Sequence, residues 1–122
     1  MNSGKMNLGE AIDAVEETYE FMLAYAAQGR RQEDQDTTGG IRAFLKKADA
    51  ALAVIAEAAP AQAGAFADVL RQDAAKSSAA IQLVLAQPSI SSQLIDNLNA
   101  SIHVRALLTD LFLLDEALKI TA

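Results

Sequence analysis

The sequence predicts an all-α fold, an antiparallel four-helix bundle, and three observations carry that expectation. First, 26 of the 122 residues are alanine, the best helix former and one small enough to let helices approach closely. Second, only two prolines and six glycines interrupt the chain, and no stretch alternates apolar and polar residues with the period of two that a strand needs. Third, apolar residues recur three and four apart through most of the length, which is the helical period. A chain of this size suits one domain, residues 1–122, with a frayed start over 1–6.

Asn7 and Glu10 have the spacing of a capping box, so the first helix is expected to begin there. Leu8, Ile12, Val15, Tyr19, Met22, Leu23 and Ala26 fall on one face, opposite a solvated acidic face of Glu10, Asp13, Glu16, Glu17 and Glu20. A second, weaker apolar stripe runs through Ala11, Ala14, Thr18, Phe21 and Tyr25, and Gly29 supplies a stop. Residues 30–40, RRQEDQDTTGG, contain no large apolar side chain and read as a mobile loop.

The second helix is expected from Thr38 or Ile41 to Ala59. Ile41, Phe44, Leu45, Ala48, Leu52 and Ile55 form its buried face, and Arg42, Lys46, Asp49 and Glu57 its wet one. Pro60 cannot continue that helix but can open the next, which is expected over 61–87. Asp73 and Ser77 interrupt the apolar stripe of this third helix, and Pro88 ends it.

In the last third the apolar face changes direction. Leu94, Ile95, Leu98 and Ile102 share one side, whereas Val104, Leu107, Leu108, Leu111, Leu114 and Leu118 lie on roughly the opposite one. Residues 102–118 are apolar nearly all round, the pattern of a helix covered on most sides. The favoured reading is one long rod, straight or kinked, at the centre of the bundle; a break near 99–101 makes five helices instead. Arg105, Asp110, Asp115 and Glu116 exclude a membrane span here.

Composition narrows function. The net charge of −6 disfavours a phosphate backbone as partner, and four Phe, two Tyr and no Trp leave few rings for stacking bases. With no cysteine there are no disulfides and no thiolate chemistry. The N-terminal residues lack the apolar core of a secretory signal, so a cytoplasmic protein is expected.

Candidate chemistry is sparse. One histidine and no Glu-x-x-His motif argue against a ferritin-like di-metal site, so no metal or cofactor is expected. The glycines of TTGG precede a helix but lack the Gly-Lys-Ser/Thr of a phosphate-binding loop. Asp96, His103 and Asp110 are spaced by seven and line up on a continuous helix. His103 and Asp110, with an inward-pointing Asp73, form a candidate polar ligand pocket. No serine stands beside a histidine at a catalytic spacing, so no catalytic residue is assigned. The two surplus apolar stripes point to a homodimer, with Phe21, Tyr25, Leu94 and Leu98 at its interface. The function expected is a non-enzymatic protein-interaction or regulatory module; the alternative is a small-molecule-binding or sensory bundle using the polar pocket.

Overall fold

The computed structural model describes residues 6–33 and 40–120. Five helices pack against one another, and no strand occurs among the described residues: α1 (Leu8–Ala27), α2 (Ile41–Ala58), α3 (Phe66–Leu85), α4 (Ser92–Ala100) and α5 (His103–Leu118). The first three form an antiparallel series, with α2 between α1 and α3. The fourth side is shared: α4 lies chiefly on α1 and α5 chiefly on α3.

Local sequence explains where α1 begins. The Asn7 side chain accepts from Glu10 N at 2.8 Å, and the Glu10 carboxylate accepts from Asn7 N at 2.9 Å. Two amides that lack helical partners are thereby satisfied. Both stripes of α1 are used inside the monomer, because the helix is flanked by α2 on one side and α4 on the other. Ala11, Ala14, Ala48 and Ala51 are all buried where α1 and α2 meet the core, and such small side chains permit a close approach.

Pro60 opens only a single 3₁₀ turn, Ala61–Ala63, rather than the third helix itself. Gly64 follows with φ of +58°, a conformation open to glycine at little cost. The third helix therefore starts at Phe66, five residues later than the periodicity suggests.

The last helix breaks. Ile102 adopts the left-handed conformation, with φ of +64° and ψ of −10°, between the end of α4 and the start of α5. The expected long central rod is thus two shorter helices, and α5 with its 16 residues is shorter than α1 or α3. The break turns the two opposed apolar faces into one core. Ile95 and Leu98 point in with α4, while Leu107, Leu111 and Leu114 point in with α5. Nor is α5 covered on most sides, since Ile102, Phe112 and Leu113 stay more than half exposed.

A polar network ties the chain ends at one pole of the bundle. The Arg42 guanidinium donates to the Glu33 carboxylate at 2.8 Å, to Leu85 O at 2.8 Å and to Gln87 O at 2.6 Å. It thereby caps the C-terminus of α3, where carbonyls lack helical donors. Glu33 also accepts from Ile90 N at 3.1 Å and donates its own amide to Ser89 Oγ at 3.0 Å. Arg42 and Asp49, expected in water, are instead partly buried, and Asp49 accepts from Ser78 Oγ at 2.5 Å. Of the expected mobile loop, residues 34–39 lie outside the described residues, but Arg30 and Glu33 are docked on the α3–α4 connection.

Three stability results follow from these placements. Leu111 is fully buried, so Leu111→Ala is expected to cost roughly 2–5 kcal/mol in a urea titration. Arg42→Ala removes three charge-assisted bonds at once and should cost about 2–4 kcal/mol, whereas a truly solvated arginine would cost almost nothing. Ile102→Gly relieves a branched side chain of a positive φ, and its melting temperature should rise or hold; a fall of several degrees would show that the break is not where the strain lies.

Candidate functional site

The polar residues expected to form a pocket meet only in part. Asp73 projects from α3 and Asp110 from α5, and the two carboxyl groups come into contact where those helices pack. Asp110 Oδ2 is buried and has no hydrogen-bond donor facing it. Two carboxylates satisfy each other only when one keeps its proton and donates it to the other. Burial first, then the hydrogen bond to Asp73 and its charge, hold the Asp110 carboxyl far above the usual aspartate range, at about 7. The pair is therefore a shared-proton contact between two helices.

His103 does not join it. It is the first residue of α5, two turns or about 10 Å before Asp110 along the axis. Three clefts of about 520, 430 and 270 Å³ open between described residues, and Asp73, His103 and Asp110 line none of them. Asp73 and Asp110 thus meet as a carboxyl pair between α3 and α5, and His103 stands apart from it.

The four expected interface residues are also placed otherwise. Tyr25 is buried; its hydroxyl donates to Ile90 O at 2.5 Å, and Ser92 Oγ donates to its carbonyl at 2.6 Å. Phe21 stacks on Phe44 with ring centroids 4.1 Å apart. Leu98 is buried, and Leu94 is packed against the core. All four are consumed within the monomer, because α4 covers the second stripe of α1 and the break at Ile102 turns the α4 stripe inward.

Acidic side chains of α1 and α5 also repel one another. Burial raises the Glu16 carboxyl above its ordinary range, with further contributions from Asp13, Asp115 and Glu20. Among the described residues no group of three or more His, Asp or Glu is arranged to hold a metal ion, and no helix is long and apolar enough to cross a membrane.

Sequence reasoning missed the α1–α4 side of the molecule. There the 520 Å³ cleft is lined by Arg30, Arg31, Ser91 and Gln93, and the 430 Å³ cleft by Tyr19, Leu23, Asn99 and Arg105. Ala26 and Asp96 line both, so the two are continuous. The available signal was Leu23, which the first-helix stripe assigns to the core and the structure leaves half exposed. No family model, curated protein or solved structure matches this chain.

The carboxyl pair makes stability depend on pH in a definite direction. Below about pH 4 the folded and unfolded chains both keep the Asp110 proton, and the pair costs nothing. From there to about pH 7 the unfolded chain has released the proton and the folded one has not, so stability falls as pH rises. Above that the loss is complete. Asp110→Asn keeps a donor toward Asp73 and removes the titration. Its melting temperature should match the wild type at pH 4 and exceed it by several degrees at pH 8; parallel curves across that range would remove the shared proton. Glu16 has a raised carboxyl in both proteins and cancels in the comparison.

Proposed function

We propose that the protein is a non-enzymatic interaction module that self-associates through the outer side of α3 and α5. The observation that carries this reading is the distribution of its exposed hydrophobics. Six large ones stand exposed among the described residues; Val69, Leu83, Phe112 and Leu113 lie on these two helices, and Ile102 at the junction that opens α5. Val69 and Leu83 are fourteen residues apart on α3, four turns along one stripe. Leu113 lies on the side of α5 opposite Leu107, Leu111 and Leu114, which are buried.

Single exposed hydrophobics are ordinary, but several on two helices that pack together support a contact surface. A second copy is the occupant this reading favours. A two-fold pairing lets the same patch cover itself, and a helix face meeting its own copy needs no other chain. Phe112 and Leu113 are the anchors, since aromatic and large aliphatic side chains carry much of an interface's energy.

Sedimentation of the wild type and of a Phe112→Glu, Leu113→Glu variant tests the reading. The expected result is a wild-type mass about twice 12.9 kDa and a folded monomeric variant, because both side chains are exposed in the monomer. A wild type that stays monomeric throughout the micromolar range ends the self-association proposal. Tyr25→Glu serves as contrast: buried in the monomer, it should unfold the chain rather than dissociate it.

A further inference from the structure

The groove on the other side of the molecule has a chemistry of its own. Its floor is apolar: Leu23, the sixth exposed hydrophobic, with Ala26, Ala27 and Ala100. Its ends are cationic. Arg31 stands where α4 begins and Arg105 where α5 begins, and neither side chain forms an ion pair or hydrogen bond with a described residue. With Arg30, three of the chain's five arginines line this one groove, although the net charge of the whole is −6.

Between the cations lie two acceptors. The Asp96 side chain has no cationic or hydrogen-bonding partner among the described residues. Asn99 Oδ1 is buried without a donor, and an unpaired buried acceptor is destabilising. The order along the groove is thus cation, acceptors, cation, over an apolar floor.

We propose that this groove binds an acidic peptide segment of a partner protein. Carboxylates at the segment's two ends pair with Arg31 and Arg105, N–H groups between them meet the exposed Asp96 carboxylate, and an apolar side chain rests on Leu23 and Ala26. The nine residues of α4 span about 13 Å, the reach of about four extended peptide residues. Local pairing survives the overall negative charge because charges farther off than about 8–10 Å are screened at ordinary salt. A nucleic acid fits less well: Asp96 stands in the middle of the track, and Tyr19 is the one ring on its wall.

This inference extends the interaction-module reading to a different surface and does not depend on self-association. An array of synthetic ten-residue peptides, with a leucine-rich centre flanked by acidic, basic or neutral polar residues, tests it on the full chain. Acidic peptides should be retained, with affinity falling as salt rises. Arg31→Glu with Arg105→Glu should weaken binding by roughly tenfold or more, and Leu23→Glu should abolish it. These three positions are exposed, so thermal melts should show the variants folded. The Phe112→Glu, Leu113→Glu variant should bind the peptides like the wild type, which separates failure of the groove from failure of the self-association surface. Equal retention of acidic and basic peptides, no retention of any, indifference to the arginine reversals, or displacement by a short oligodeoxythymidylate would each overturn the proposal.

Discussion

The arrangement of the bundle depends on the Arg42 guanidinium. It sits at the start of α2, yet its bonds reach the end of α3 and the segment that follows α1. One planar group with five donors in a fixed fork can satisfy two carbonyls and a carboxylate together, which an ammonium cannot. Glu33 completes the node by taking Ile90 N with its second oxygen. The turn between α3 and α4 is held from two sides, by Glu33 and by the Tyr25 hydroxyl on Ile90 O. That turn decides where α4 is launched, and so which face of α1 it covers.

The second constraint is conformational. A helix that continued through Ile102 would bury either the Ile95 and Leu98 face or the Leu107, Leu111 and Leu114 face, and leave the other in water. The left-handed residue separates the two segments, so that one half lies on α1 and the other on α3. The cost of a β-branched side chain at positive φ is on the order of 1–3 kcal/mol, less than burying several leucines returns. Exposure of the Ile102 side chain is part of the same settlement, since the turned backbone aims it outward.

The polar groups that the folding leaves behind divide by location. Asp73 and Asp110 face each other across α3 and α5, and a retained proton makes that contact tolerable. On the α1–α4 side, Asp96, Asn99 and Arg105 stand beside an open groove and have no such internal settlement. The exposed hydrophobics divide in the same way, four on α3 and α5, one at the junction that opens α5, and one in the groove. The two sides thus present different chemistry: exposed hydrophobics on α3 and α5, and an apolar track bounded by arginines.

What the sequence determined by itself was local. The Asn7–Glu10 box, the apolar stripes of α1 and α2, the all-α class and the burial of Leu111 follow from spacings of three and four residues, and such spacings are set by the helix alone. The abrupt change of face after Ile102 was also legible as a conflict, although not as its resolution. Only the tertiary structure decided which neighbour covers each stripe, and that decision buried Tyr25 and Leu98 in the core and packed Phe21 and Leu94 against it. It also brought Glu33 to Ile90 across 57 positions and set Asp73 against Asp110 while leaving His103 two turns away. The physical reason is that periodicity fixes which side chains share a face, whereas a partner distant in sequence is chosen by the packing of whole helices.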